Sequence, residues 1–221
     1  VKKDWVFAKN RKYESTLQSS LNGDNLPVSV YTTLIDQVNK NLPTLHRFLD
    51  LKKRLLGVDT LHYYDLYTAL VKKVDLHFTV EQGQQAILDA LTPLKSEYLS
   101  TVKKSFDNRW IDFIPTEGKR SGAYSTGGTY DVHPYILMNY DNTADSMLTL
   151  AHEMGHALNS YYTNISQKYV NSQTPIFTAE VASTMNENLM LEYLIQNAKN
   201  DDEKLYFLDK LIENIRGTVY T

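Results

Sequence analysis

The sequence has no cysteine among its 221 residues. Disulfide bonds and thiolate metal sites are therefore excluded, and any bound metal ion must be held by nitrogen and oxygen ligands. The sequence also lacks an apolar run of the roughly 20 residues that span a bilayer, and no charged segment followed by an apolar one opens it. We therefore expect a soluble protein that has no membrane partner. The absence of cysteine is compatible with the cytoplasm, which is the location that we expect.

Strong charge of one sign is absent as well. The formal net charge is −3 at pH 7 and the isoelectric point is near 6.1, so the chain has no basic field for the phosphates of nucleic acid. Neither the P-loop pattern G-x-x-x-x-G-K-[ST] nor the dinucleotide pattern G-x-G-x-x-G is present. Nucleic acid is therefore not an expected partner. The hydrophobic share of 42% is ordinary for a globular protein and sufficient for a large core.

Helix-forming segments dominate the sequence, which predicts a mainly α fold. Asn, Gly and Pro residues mark the breaks between segments, and several starts carry a proline or a capping threonine. The predicted helices are Lys9 to Leu21, Pro27 or Val28 to about Asn41, Pro43 to just before Gly57, Val80 to Leu91 after the cap Thr79, and Pro93 to about Asp107. Residues 63–71 are aromatic-rich and irregular, with at most a short helix. No change of composition marks a domain boundary.

The most informative segment is 150–158, which contains His152, Glu153 and His156 in the pattern H-E-x-x-H. Residues four apart lie on nearly the same face of a helix, so both imidazoles can bind one metal ion while the glutamate lies beside it as a candidate base. This pattern is typical of a catalytic zinc site. It also occurs by chance, and the surrounding sequence has to decide between the two.

The surrounding residues favour a helix. Asn142 or Thr143 can cap its start, and Asp145 places negative charge in the first turn, where the helix dipole favours it. The motif has a broad apolar surface around it, formed by Met147, Leu148, Leu150, Ala151, Met154, Ala157 and Leu158. Gly155 costs about 1 kcal/mol relative to alanine inside a helix, which indicates that a second helix or a substrate comes close to the backbone there.

A catalytic zinc ion usually has three protein ligands, so a third donor is expected. Glu180, which follows His156 by 180 − 156 = 24 residues, is the candidate. It lies in a second predicted helix with Thr174 as the N-cap and Pro175 in the first helical position. The polar stretch 160–173 leaves room for the chain to reverse, so that two helices can face each other across one ion.

The remaining acidic and histidine residues have weaker claims to the site. Glu187 shares a helix face with Glu180 and could hold a ligand histidine, although a solvated charge or a structural hydrogen bond explains it equally well. His133 is a candidate substrate contact for which a structural role is favoured. Hydrogen bonding in the core or at the surface is expected for His46, His62 and His77, and a surface position for Glu192 and Glu203.

Residues 118–131 differ from the rest of the sequence, because they contain four glycines in a turn-rich stretch. The strand-like run 133–140 follows and precedes the metal-binding helix. This order predicts a small β-hairpin or sheet near the metal. In metallopeptidases an edge strand near the zinc can pair with the backbone of an extended substrate, and an ordinary hairpin without that role is the alternative.

Several separated segments together resemble peptidase family M3, the thimet oligopeptidase family of zinc peptidases, and within it the bacterial oligoendopeptidase F group. The segments that carry the resemblance are 61–67, 118–124, 134–139, 152–157 and 179–187. They span nearly the whole chain, and several separated motifs are far more specific than one.

The resemblance implies a mainly α, zincin-like metallopeptidase catalytic region with a small sheet near the metal and a deep channel that admits short peptides. It also implies one zinc ion with His152, His156 and Glu180 as its ligands. Glu153 would then be the catalytic acid/base, and the expected reaction is the hydrolysis of internal peptide bonds in oligopeptides. Manganese or cobalt could occupy a site with the same ligands.

Members of that family are much longer than this chain. The resemblance places outside it an N-terminal region and a C-terminal segment with tyrosine and histidine that helps to stabilise the transition state. We therefore expect residues 1–221 to be part of one oligoendopeptidase-F-type catalytic domain, truncated at both ends. Two alternatives remain open: a zinc-binding but catalytically incomplete chain, and a helical interaction module whose H-E-x-x-H pattern is accidental.

Overall fold

Helices form most of the chain in the computed structural model, which describes residues 2–71, 74 and 76–220. They are accompanied by a three-stranded sheet, and the mainly α fold with a small sheet is thereby confirmed. The chain divides into two compact units, a first unit of Val1–Leu70 with Ile212–Thr221 and a second unit of Val71–Leu211. Within the described ranges, no helix combines the length and the apolar character that crossing a bilayer requires.

The first unit begins with two short helices, α1 (Lys2–Asn10) and α2 (Thr16–Leu21). The prediction of one helix from Lys9 to Leu21 was wrong because the chain turns between them. Lys12 takes a left-handed φ of 66°. The Ser15 hydroxyl then accepts a backbone hydrogen bond from the first turn of α2, which starts a new helix instead of continuing the old one.

The third helix, α3 (Val28–Leu56), runs without interruption through Pro43. Its start beside Pro27 and its end before Gly57, which has a left-handed φ of 67°, confirm the predicted boundaries. The predicted break at Pro43 was wrong. A proline inside a helix removes one backbone hydrogen bond at a cost of about 3 kcal/mol. The helical hydrogen bonds on both sides of it hold this 29-residue helix together.

A buried ion pair lies within the first unit. The Lys52 side chain is 1% exposed, and its Nζ lies 3.1 Å from Glu213 Oε1 and donates to the Leu66 carbonyl oxygen at 2.7 Å. Leu66 belongs to a short 3-10 helix, Tyr63–Tyr67, which lies in the aromatic-rich stretch. Glu213 belongs to the last helix, α8 (Asp201–Val219). One ammonium group therefore joins three segments of the first unit.

Replacing Lys52 by methionine is expected to destabilise the first unit by about 2 kcal/mol. Breaking a buried pair commonly costs about 3 to 5 kcal/mol, and the expected value is smaller because Glu213 Oε2 keeps its hydrogen bond from Arg216 Nε. Urea unfolding followed by circular dichroism measures the change. Lys40→Met, at an exposed position of α3, is the control. Equal stability of the two variants would contradict a role for the ion pair.

The second unit opens with two helices that confirm the sequence pattern in most respects. Helix α4 (Val80–Ala90) begins after Thr79, whose hydroxyl accepts a hydrogen bond from the Gln82 backbone N–H while the Gln82 side chain accepts one in return. Helix α5 (Ser96–Asp107) ends where predicted but begins three residues after Pro93. A turn delays the start, because the Leu94 N–H donates to the Leu91 carbonyl oxygen.

The small sheet has the strand order β1 (Ile111–Asp112), β3 (Tyr135–Leu137), β2 (Tyr124–Thr126). Strand β3 is parallel to β1 and antiparallel to β2, with Ser125 opposite Ile136. The glycine-rich stretch therefore forms the predicted hairpin, and β2 is an edge strand.

Helices α6 (Ala144–Ser166) and α7 (Ile176–Gln196) form the centre of the second unit. Their largest fully buried side chains are Met147, Leu150, Met154 and Leu158 from α6 and Met190 from α7. The two backbones come into close contact at Gly155, where a Cβ atom would lie 2.5 Å from the Ala182 carbonyl oxygen and from Ser183 Cα. This confirms that a second helix comes close to the backbone at Gly155.

Candidate metal centre

Helix α6 places the two histidines of the H-E-x-x-H pattern side by side. Of the two candidate caps, Thr143 is the one used: its hydroxyl accepts a hydrogen bond from the Ser146 N–H, whereas Asn142 precedes the helix with a left-handed φ of 64°. One helical turn then separates His152 from His156, and their ring centroids are 4.9 Å apart. Both imidazoles are partly buried and face the same side of the helix.

Helix α7 brings Glu180 to the same place. Its Oε2 lies 3.5 Å from His152 Nε2 and 3.4 Å from His156 Nε2. The predicted cap was off by one residue: Pro175, with an extended ψ of 145°, precedes the helix, and its carbonyl oxygen accepts the first backbone hydrogen bonds. The missing N–H of a proline costs nothing at this position, because helix ends leave that donor unpaired.

The three side chains fit a single metal ion. Two ligand atoms bound at about 2.0 to 2.1 Å in a tetrahedral arrangement are separated by about 3.4 Å. The distances from the carboxylate oxygen to both imidazole nitrogens match this separation, and one ligand atom from each of the three residues lies within 4.8 Å of the others. Imidazole and carboxylate are zinc ligands, and they suit other divalent transition metals as well. The donor set and its spacing therefore fit a divalent transition-metal ion.

Glu187 holds one of the candidate ligands in place. Its Oε2 lies 3.1 Å from His152 Nδ1, and this hydrogen bond raises the pKa of His152 above its usual value against the opposing effect of burial. In the neutral imidazole, Nδ1 then carries the proton and Nε2 presents its lone pair towards Glu180. The Glu187 side chain is 20% exposed and bonded to His152, which argues against a solvated charge and fits both a structural hydrogen bond and support of a ligand histidine.

Glu153 lies beside the two histidines and is 8% exposed. Burial raises the pKa of its carboxyl group, and the neighbouring His152 and the backbone of Ser125 act in the opposite direction. Burial also lowers the pKa of His156, which favours the neutral imidazole that a metal ion requires. The site thus pairs a buried carboxylate, in contact with strand β2, with two imidazoles that can coordinate an ion.

A cleft of about 470 Å³ opens above these residues, between the hairpin and helices α6 and α7. Strand β2 forms one wall. Ile136 N–H donates to Trp110 on the β1 side at 2.8 Å, so the opposite residue, Ser125, is in a pair without hydrogen bonds to β3. The backbone N–H and C=O of Ser125 therefore point away from the sheet, towards the cleft and Glu153. An extended segment of chain could pair with this edge.

The other histidines lie elsewhere. His133 stacks on Trp110 with ring centroids 4.8 Å apart, and its Nδ1 lies 2.8 Å from the Pro134 carbonyl oxygen, which favours the structural interpretation over a substrate contact. Five other residues were expected to form hydrogen bonds or to lie at the surface. They do not line the cleft: His46, His62, His77, Glu192 and Glu203.

Sequence reasoning missed a buried polar network behind the site. Asn186 is fully buried, and its Nδ2 donates to the Ala151 carbonyl oxygen at 3.3 Å. The Tyr98 hydroxyl donates to Asn186 Oδ1 at 2.9 Å, and burial raises the pKa of Tyr98 to about 12. Ser183, also buried, contacts Glu180. The available signal was that Ser183 and Asn186 are small polar residues three and six positions after Glu180 and therefore near it on the helix.

Comparisons with known proteins identify relatives of the chain. The chain is 44% identical over 220 residues to oligopeptidase PepF of Bacillus subtilis (strain 168), covering 100% of this chain and 33% of the relative. It is 41% identical over 220 residues to an oligoendopeptidase F homolog of Lactococcus lactis subsp. lactis (strain IL1403), covering 100% of this chain and 36% of the relative.

Solved structures with a similar fold are also known. A crystal structure of a protein from Chlamydophila abortus superposes with a TM-score of 0.87 at 37% identity, over 97% of this chain and 36% of that one. The crystal structure of oligoendopeptidase-F from Enterococcus faecium superposes with a TM-score of 0.66 at 33% identity, over 99% of this chain and 31% of that one. The chain thus spans about a third of the length of these relatives. The family model for peptidase family M3 matches residues 1–220, and the chain belongs to this family.

Proposed function

We propose that this chain carries the metal-binding part of a zinc metallopeptidase that hydrolyses internal peptide bonds of short oligopeptides. The observation that supports this most directly is the meeting of His152, His156 and Glu180 at ligand spacing, with Glu153 buried beside them. Residues 1–221 would then form part of one oligoendopeptidase-F-type catalytic domain, with His152, His156 and Glu180 as the zinc ligands and Glu153 as the catalytic residue.

The residues of the chain have separate parts in the proposed reaction. A bound zinc ion would supply Lewis acidity, which polarises a carbonyl oxygen and lowers the pKa of a water from about 16 towards about 7. Glu153 takes a proton from the attacking water and passes it to the departing amine. Its burial favours the protonated carboxyl group that the second half of this transfer needs. Glu187 holds the proton of His152 on Nδ1 and leaves the Nε2 lone pair free, as an imidazole ligand would require.

The β2 edge of the cleft and the names of the relatives support the proposed substrate class. The outward C=O of Ser125 on the β2 edge can accept a hydrogen bond from an extended peptide backbone, which holds peptides largely without regard to side-chain identity. Relatives of the chain carry the names oligopeptidase and oligoendopeptidase. We propose the same class of substrate here.

Replacing Glu180 by alanine tests the ligand set. The wild-type chain is expected to hold about one zinc ion, and E180A is expected to lose it under the same dialysis, since a catalytic zinc needs three protein ligands. Metal content by mass spectrometry is measured beside cleavage of an internally quenched peptide. The control is Glu192→Ala, at an exposed position of the same helix. Unchanged metal content in E180A would place the third ligand elsewhere.

The same measurements separate the alternatives. Zinc binding without cleavage in this chain, together with cleavage by a longer chain that contains it, would identify residues 1–221 as a metal-binding but catalytically incomplete part. Zinc stoichiometry near zero in a folded wild-type chain at saturating metal would favour a helical interaction module with an accidental motif. Loading with manganese or cobalt in place of zinc would show which ion the site prefers.

A further inference from the structure

Ser183 makes a hydrogen bond that nothing in the ligand pattern requires. Its side chain lies in α7, one turn after Glu180, and is fully buried. Ser183 Oγ lies 2.8 Å from Glu180 Oε2 and 3.1 Å from the Glu180 backbone carbonyl oxygen. A hydroxyl has a single proton, and the bond to the charged carboxylate is both the shorter and the stronger choice. The hydroxyl proton is therefore directed at the carboxylate.

The oxygen that accepts this bond is the one that faces the histidines. Glu180 Oε2 is also the atom that lies 3.5 Å and 3.4 Å from His152 Nε2 and His156 Nε2. A carboxylate oxygen has two lone pairs, so one can accept from Ser183 while the other remains for an ion. The Glu180 side chain is 47% exposed, and packing alone does not fix its rotamer. The hydroxyl supplies the restraint that packing lacks.

The crossing of α6 and α7 holds the hydroxyl itself in place. Ser183 Cα lies 2.5 Å from the position that a Gly155 Cβ would occupy, so the serine is pressed against the α6 backbone between the two histidines. At this crossing the side chain is shielded from water and its rotamer is restricted. The restraint on Glu180 therefore originates in the close approach of the two helices.

We propose that Ser183 is a positioning residue for the metal ligand Glu180, which it holds with Oε2 directed at His152 and His156. The proposal rests on the function proposed above, because it gives the hydroxyl a purpose only if Glu180 binds the ion. The proposal also extends that function, since the three proposed ligands by themselves assign no role to Ser183.

Replacing Ser183 by alanine is expected to weaken zinc binding about 10- to 100-fold, as loss of a hydrogen-bonded partner of a metal ligand typically does. The zinc dissociation constant is measured by competition with a chelator, and thermal unfolding is measured on the metal-free chain. Thr184→Ala is the matched control. Its hydroxyl is one residue away and donates to the backbone carbonyl of Glu180, not to the carboxylate. Its dissociation constant should stay within about twofold of wild type.

Two further measurements keep a structural effect apart from a positioning effect. Ser183→Thr keeps the hydroxyl donor, so its dissociation constant should lie closer to that of the wild type than to that of S183A. The visible spectrum of the cobalt-loaded chain should change in S183A and not in T184A, because it reports the ligand arrangement.

The outcomes are distinct. A wild-type chain that binds no zinc would overturn the proposed function. A wild-type chain that binds zinc, with S183A unchanged in affinity and cobalt spectrum or with T184A equally weakened, would overturn the role of Ser183 alone.

Discussion

Changing Glu153 to glutamine is expected to lower peptide turnover about 100- to 10,000-fold, the range that general acid–base groups contribute. Glutamine has nearly the same shape but cannot take a proton from water or return one to the leaving amine. Glu153 is buried beside His152 and is not one of the three residues at ligand spacing. Its loss should therefore leave the zinc content and the thermal stability of the loaded chain close to those of the wild type.

The measurement is turnover of an internally quenched peptide, made on this chain and on a longer chain that contains it. Metal content is measured on the same preparations. Glu192→Gln is the matched control, because it makes the same change at an exposed position of α7 and should retain wild-type turnover. Turnover of E153Q at a rate comparable to the wild type would exclude Glu153 as the acid/base. Loss of zinc in E153Q would mean that the carboxylate also supports the ion.

The part of the site that lies on one helix could be predicted from the sequence. The positions of His152, Glu153 and His156 follow from helical geometry as soon as the segment is known to be a helix, and the cap at Thr143 marks that helix. Glu180 could be chosen as the candidate third ligand because a second helix begins shortly before it, and the structure brings it next to both histidines. Glu187 lies two helical turns further on the same face, which made it a candidate partner for a ligand histidine, and the structure shows its contact with His152.

Features that depend on packing between distant segments could not be predicted in the same way. Gly155 indicated that something comes close to α6, but only the structure shows that Ala182 and Ser183 are the neighbours. The errors at Pro43 and between Lys9 and Leu21 have a related cause. A proline or a polar stretch in the sequence indicates that a helix is locally less stable there. Whether the helix continues depends on the backbone hydrogen bonds formed by the residues on either side.

Replacing Gly155 by alanine is expected to disrupt the metal site through the packing of α6 against α7. The added Cβ would lie 2.5 Å from the Ala182 carbonyl oxygen and from Ser183 Cα, both backbone atoms that cannot rotate away. The two helices must therefore separate, at a cost of about 1 to 3 kcal/mol or more. Because α6 carries His152 and His156 and α7 carries Glu180, the same separation should lengthen the ligand spacing and weaken zinc binding.

Without the close contact, replacing a helical glycine by alanine would be expected to stabilise the helix, because alanine has the higher helix propensity. Gly217, near the end of α8, has nothing within 4 Å of the position that its Cβ would occupy, so Gly217→Ala should be neutral or stabilising by up to about 1 kcal/mol. Thermal unfolding of the metal-free chains and the zinc dissociation constants are compared for both variants. A G155A chain that is as stable as G217A and binds zinc as tightly would mean that α6 and α7 can move apart without disturbing the ligands. The close crossing would then have no part in building the metal site.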